Sequence, residues 1–499
     1  MKSNRNRQGR HLFLALLLSG AALLTSCAGT EAGGNSETET TARTTQGDAT
    51  VEYPGELVRP RGEEESAEAL KSLESMDFGG AATVIATFSH ADILCPDSAS
   101  DEICAAALAR NKAIENKYNT TIAAKHTESA EALLSEIKAS VKSGLYYADI
   151  AAINVSEIGT YSADSLLMNL YSLPDFDPSS EIFNTDAMSQ ISAAFRSYGV
   201  ISAATEDVRD VYAVFWNKSM AQSLEMGDLY ELYRRGEWTW SRFSELMHTA
   251  AEARGADKAT RIGALTDLPL YEIADAMQCS SGLHYVSTEY GSVPAIVYDD
   301  TAMNELASLA HTVFGTGQGF SSGYGSDTSA MTSFRGGDVL FYVGVLRDAE
   351  VLSGSETDWG VLPLPAYSEQ TSTLTAMSPT SSAVLVTPRN NALGANASAM
   401  LKALSVASVG IMDDAITEYI TAVALRDNSG AMMVREAAAK TPLIDFTSAF
   451  PSITALRNAT SEAYHNAIKT GGSFTAAAAR YYRTGMSAHA VNFPLKNTE

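Results

Sequence analysis

Thr83-Val84-Ile85-Ala86-Thr87-Phe88, Thr120-Thr121-Ile122 and Ala148-Asp149-Ile150-Ala151-Ala152-Ile153-Asn154 are apolar, β-branched runs, and what lies between them decides the fold. Each run reads as a buried strand. Between the first two, Ile103, Ala107, Ile114 and Tyr118 recur at intervals of one or two helical turns. Between the second and third, Leu133, Leu134, Ile137 and Val141 make another helical stripe. Ser129 is placed to cap that helix, Glu131 sits in its first turn, and Lys138 and Lys142 lie toward its end before Gly144. That arrangement suits the helix dipole and a glycine C-cap. The order β-α-β-α-β predicts a parallel, doubly wound sheet. Ligands of such sheets bind beyond the carboxyl ends of the strands. Ser89, His90 and Asp92, with residues 154–157, therefore form a candidate rim.

Farther along, Val211-Tyr212-Ala213-Val214-Phe215-Trp216-Asn217 reads as another strand, and the chain after it is mostly helical. Thr239 is placed to cap a helix with Trp240, Phe243, Met247 and Ala250 on one face, ending near Gly255. Gly315 to Ser329 is Gly/Ser-rich and reads as a loop. Phe334 to Leu346 contains a strand, and the prolines of Asp358 to Pro365 make that stretch extended. Val384 to Pro388 is a final strand, and the Ala-rich remainder is largely helical.

The whole chain has 499 residues, room for two or three domains. With 35 Lys+Arg against 59 Asp+Glu, its net charge of −24 argues against nucleic-acid binding, which selects a basic surface. Apolar residues make up 45%, enough for a large core. Four cysteines cannot staple a body of this size, so the fold rests on burial.

Lys2, Arg5, Arg7 and Arg10 precede an apolar run from Leu12 to Leu24, too short for the ~20 residues of a spanning helix. This is the layout of a secretory signal, residues 1–26. Leu24-Thr25-Ser26-Cys27 resembles the lipobox of bacterial lipoproteins, which implies lipidation at Cys27. Residues 27–80 then read as the lipidated cysteine and a flexible acidic tether, with a short helix near Ala67–Leu73. No other apolar run approaches the length of a membrane span.

Five motifs in order carry a wider resemblance. Ala109 to Asn119 resembles a first-helix motif ending in KYN, and Val214-Phe215-Trp216-Asn217-Lys218 a Y-x-N-K crossing strand. Gly236-Glu237-Trp238-Thr239-Trp240 resembles a G-x-W-T-W helix start. Phe334 to Phe341 resembles F-x-x-G-x-A-x-F, and Trp359 to Pro365 resembles G-x-x-P-L-P. Over roughly residues 81 to 485 the chain resembles the bacterial extracellular solute-binding proteins of family 1, the carbohydrate-type receptors of ABC importers. It departs from them at Trp216, where Tyr is usual, in the Gly315 loop, and in Glu181-Ile182-Phe183-Asn184, which lacks an aromatic pair.

The resemblance implies an α/β, two-lobe periplasmic-binding-protein-like fold of type II, each lobe a doubly wound sheet flanked by helices, with a ligand cleft at the hinge. The N-terminal lobe would be 81–213 plus about 364–408, and the C-terminal lobe 218–360 plus about 409–499. Crossings would lie near Ala213–Trp216, Gly360–Leu364 and about Ser405–Met412. The implied function is that of an extracytoplasmic, membrane-anchored lipoprotein that captures a sugar or oligosaccharide by hinge closure and delivers it to ABC permease subunits. It would be monomeric, without catalysis, cofactor or metal. Sugars present apolar faces and polar edges, so their receptors need aromatic planes and convergent polar groups. The candidates are Trp216, Tyr342, Trp359, Tyr146, Asp149, His90 and Trp238, each weighed against a place in the core or, for His90, in a solvated loop. Trp240 lies on the buried helical stripe.

Cys95 and Cys104 are candidates for a disulfide, and Cys279 reads as a buried thiol. The alternatives are a lipid-anchored surface glycan hydrolase and a receptor for peptides or other solutes. Gly319-Phe320-Ser321-Ser322-Gly323 matches the hydrolase motif G-x-S-x-G, which needs a strand before it and a helix after it, whereas here it falls in the Gly/Ser loop. No H-E-x-x-H, EF-hand or phosphate-loop motif is present.

Overall fold

The predicted alternation builds the first of two five-stranded sheets in a computed structural model, which describes residues 62–480 except 194, 255–261, 288–293, 327–328, 370, 372–373, 392–393, 424 and 426. The chain divides into two compact units, 1–57 and 58–499, and the described residues belong to the second. The expected signal and Cys27 lie outside them.

Strands β1 (Ala82–Thr87), β2 (Thr121–His126) and β3 (Ile150–Asn154) run parallel in the order β2-β1-β3. β10 (Ala383–Val386) pairs antiparallel with β3, and β4 (Gly199–Val200) closes that edge. Helix α2 (Glu102–Tyr118) starts where Asp101 accepts a hydrogen bond from the Cys104 amide. Helix α3 (Ala130–Ser143) is capped by Ser129 and stops at Gly144, whose φ of 69° is left-handed, as expected.

The acidic tether ends earlier than expected. Helix α1 (Glu63–Leu70) packs on α2, Leu70 and Phe78 are buried, and Phe78 stacks on Tyr118 with ring centroids 5.1 Å apart. Leu70, Leu73, Met76 and Phe78 give residues 62–80 the apolar surface that the preceding Glu/Thr/Gly stretch lacks, so they belong to the folded body.

The second sheet has the order β7-β6-β8-β5-β9. It comprises β5 (Tyr212–Asn217), β6 (Ala264–Thr266), β7 (Phe320–Ser322), β8 (Phe341–Val345) and β9 (Trp359–Pro363). β6, β7 and β8 are mutually parallel, and β5 runs antiparallel to β8 and β9. β6 was not anticipated, and β7 lies in the stretch read as a loop. The strand expected within Phe334 to Leu346 is β8, preceded by a helix turn over residues 330–335. Helix α4 (Trp240–Arg254), capped by Thr239, buries Trp240 and Phe243 against this sheet, with Phe243 stacked on Phe341.

The passages between the sheets also differ from expectation. Ala213–Trp216 and Gly360–Pro363 lie side by side inside the second sheet. The chain instead passes between sheets along residues 201–211 and 364–382. These two segments are joined where Tyr212 N–H donates to the Ala376 carbonyl and Ser378 N–H to that of Asp210. A third segment lies alongside, Met377 N–H donating to Leu443 O. Helices α7 (Gly394–Ser408) and α8 (Ile411–Val423) both pack on α2, and α8 also contacts α6 (Asp348–Leu352), which follows β8. The stretch after Leu443 is not confined to the second half. Helix α9 (Phe446–Ala449) packs on residues 155–157, and α10 (Ser461–Thr470) returns to α5 (Leu270–Ser280). No single helix among the described residues is long and apolar enough to cross a membrane.

Candidate functional site

A cleft of about 390 Å³ opens where the two sheets face each other across the passages. This volume falls in the range of small-molecule sites. The first sheet contributes Ser156, just past the carboxyl end of β3, which belongs to the expected rim. The second contributes Pro269, Tyr271, Glu272 and Asp275, just past the carboxyl end of β6. Tyr212 at the start of β5, Met377 and Thr380 of the passages, and Asp445, Thr447 and His465 of the C-terminal part complete the wall.

Pro269 precedes the first turn of α5, so Tyr271, Glu272 and Asp275 emerge from that helix start toward the cleft. Glu272 Oε1 accepts three hydroxyl hydrogen bonds, from Tyr212 (2.9 Å), Ser378 (3.1 Å) and Thr380 (2.9 Å). Burial first, and then the Glu272 charge, push the Tyr212 phenol far above its ordinary range, so it is a neutral donor. His465 Nε2 lies 2.7 Å from Asp275 Oδ1, and its ring stacks on Tyr271 with centroids 4.6 Å apart. Asp445 caps α9: its Oδ1 accepts from the Thr447 amide and hydroxyl. Its Oδ2 is buried without a hydrogen-bond partner. Burial raises the Asp445 pKa. The arrangement offers an aromatic face at Tyr271, hydroxyls and several carboxylate acceptors, the mixture that polyhydroxylated solutes require.

None of the seven residues singled out in the sequence lines this cleft. Trp216, Trp359, Trp238 and Tyr342 are buried within the second half of the fold. Trp238 Nε1 donates to Pro363 O (2.9 Å) and Trp359 Nε1 to Leu352 O (3.0 Å). Tyr342 lies inside β8, and its hydroxyl donates to Asp348 (3.0 Å). Trp216 packs edge-on against Tyr230. Asp149 accepts from the Val84 amide (2.8 Å) and the Tyr146 hydroxyl (2.6 Å), which ties the start of β3 to β1. Tyr146 is more than half exposed there. His90 is buried, and burial, followed by the Arg347 charge, holds its imidazole below the ordinary value.

His90 adjoins a charge network that joins the two halves. The Arg209 guanidinium donates to both oxygens of Asp207 and, from NH2, to Asp92 past β1 (2.6 Å). It also lies 3.6 Å from Glu350 of α6. Arg347 reaches Asp207 (2.9 Å) and Asp210 (3.1 Å). Both arginines hold Asp207 below the usual carboxylate range despite its burial. Asp210, buried beside ionised Asp207 with Oδ2 unpartnered, is pushed up.

Cys95 and Cys104 are free thiols, both buried, so the candidate disulfide is absent. Burial pushes Cys95 up to about 11. Cys279 is buried and free, as expected. Ser321 of the G-x-S-x-G match lies within strand β7 rather than at a strand-to-helix turn. No group of three or more His, Cys, Asp or Glu residues among the described residues is placed to hold a metal ion.

With this geometry in hand, the chain is similar to solved structures of type II periplasmic binding proteins, and it shares their fold. The galacto-N-biose-/lacto-N-biose I-binding protein of the ABC transporter from Bifidobacterium longum superposes with a TM-score of 0.51 at 14% identity, covering 84% of this chain and 99% of that one. UgpB from Mycobacterium tuberculosis, in complex with glycerophosphocholine, gives 0.51 at 14%, covering 82% and 98%. The GacH receptor of Streptomyces glaucescens, solved unliganded and with acarbose, gives 0.50 at 14%, covering 82% and 99%. No protein-family model and no curated protein matches the chain.

Proposed function

We propose that this protein is the extracytoplasmic solute receptor of an ABC importer, anchored through a lipidated Cys27, that captures a sugar or oligosaccharide and passes it to permease subunits without catalysis. The observation that carries the reading is the cleft between the two sheets, where the Tyr271 face stands beside hydroxyl and carboxylate acceptors from both halves. Residues upstream of the hinge passages and those around β10 act as one lobe, and the second sheet with its helices acts as the other. A solute that binds the closed arrangement more tightly shifts the lobes toward it by that difference in affinity.

Support comes from the shared fold and from structural neighbours that bind lacto-N-biose and acarbose. The test is titration calorimetry of the monomeric protein without its first 61 residues against mono- and oligosaccharides, with saccharide breakdown followed in parallel. Stoichiometric binding without turnover is expected. Silence across the panel, or turnover beyond one equivalent, overturns the reading.

A further inference from the structure

The polar lining of the cleft is unbalanced in charge. Four carboxylates face it, Glu272, Asp275, Asp445 and Glu462, against Arg457 and His465. Both are already engaged, Arg457 with Glu462 and the His465 ring with Asp275. Three hydroxyl donors, Tyr212, Ser378 and Thr380, converge on one oxygen, Glu272 Oε1. The wall therefore carries more acid groups than cationic ones. Asp445 Oδ2 makes the point independently: its residue is 97% buried (3% exposed), it lines the cleft, and the oxygen accepts no hydrogen bond. A buried acceptor left unpaired costs about 1–3 kcal/mol, more when charged, so a solute donor that reaches it is favoured.

We infer that the solute carries a protonated amine, an aminated saccharide rather than a neutral or acidic one, with the ammonium directed at Asp445 and its neighbours on α5. The inference rests on the saccharide reading and narrows it. An ammonium supplies three donors and one positive charge to a wall that has acceptors and excess negative charge. A uronate or phosphate meets Glu272 and Asp445, which no basic side chain among the described residues pairs, and is disfavoured by like-charge repulsion. The carboxylates are not gathered tightly enough to hold a metal ion, so the match is to an extended, donor-rich molecule. Its sugar face meets Tyr271 while its amine reaches the Asp445 end.

The experiment is calorimetry on the intact body with chitobiose, its N,N'-diacetylated form, cellobiose, glucuronic acid and, as a sugar-free amine, cadaverine, at low and high salt. Chitobiose is expected to bind at least about tenfold tighter than the two uncharged disaccharides. Its affinity alone should fall with added salt, and glucuronic acid should not bind. In Asp445→Asn and Glu272→Gln the ratio of chitobiose to cellobiose affinity should shrink, whatever happens to the affinity for each. Cellobiose or glucuronic acid binding as tightly as chitobiose overturns the charge inference and leaves the saccharide reading standing. Binding of cadaverine with none of the sugars leaves the charge inference and overturns the saccharide reading. Failure of every probe overturns both.

Discussion

Arg209→Met tests whether the buried charge network holds the two halves together. The Arg209 side chain is 4% exposed and that of Asp207 0%. The guanidinium makes short contacts to Asp207 and Asp92 and a longer one to Glu350. Removing one partner of a buried pair costs about 3–5 kcal/mol, because the remaining charge is stranded. Arg347 still reaches Asp207 at 2.9 Å, so the lower end, about 3 kcal/mol, is expected. The assay is urea unfolding followed by tryptophan fluorescence, run as a cycle with Asp207→Asn and the double variant. Residues in direct contact couple by about 0.5–3 kcal/mol, so the double variant should lose clearly less than the sum of the singles. A loss below about 1 kcal/mol, the range of exposed pairs, or strict additivity, would refute the reasoning. Solute affinity should fall as well, since Arg209 touches Asp92 beyond β1 and Glu350 on α6.

Further outcomes are expected. Burial pushes Asp348 from 3.8 up to about 6. Between those values the folded chain keeps a proton that the unfolded chain releases, so stability falls as pH rises through this window by about 1.4 kcal/mol per unit. Asp348→Asn should remove that slope in unfolding measurements at pH 4, 5 and 6, and an unchanged slope contradicts the assignment. A Cβ on Gly360 would sit 2.5 Å from Trp216 Nε1 and 2.6 Å from the Tyr230 hydroxyl, whereas one on Gly354 meets nothing within 4 Å. Gly360→Ala should therefore cost about 1–3 kcal/mol by overpacking, and Gly354→Ala should be close to neutral; equal thermal shifts would contradict this. Tyr271→Ala should weaken saccharide binding up to about tenfold by removing the aromatic face, with the melting temperature of the free protein nearly unchanged.

Much of the fold was legible because it is written in local pattern. The run from Thr83 to Asn154 alternates strand and helix with caps in place, and Ser129 and Gly144 do what their chemistry suggests. The site was not legible, for two reasons. The tryptophans stand out in a sequence because they are large and rare, but that size also makes them fillers: Trp238, Trp240 and Trp359 are fully buried. The Gly360 of the G-x-x-P-L-P match is there because the Trp216 indole lies against it, a packing role hidden until β5 and β9 are paired. The second reason is β6. Three residues, Ala264 to Thr266, are too short to register as a strand, yet Tyr271, Glu272 and Asp275 follow just beyond its carboxyl end. Had that strand been seen, the rule that pointed to Ser156 would have pointed to Glu272 as well. Asp445 and His465 carry no local signal, being brought to the cleft by the return of the C-terminal segment across both halves.

The most direct test of the account is a crystal structure with the saccharide that binds most tightly. The account predicts density for one solute molecule between the sheets, its ring face against Tyr271 and its polar edge within hydrogen-bond reach of Glu272 and Asp445. Density on an outer surface, with the space around Tyr271 holding only water, would contradict it.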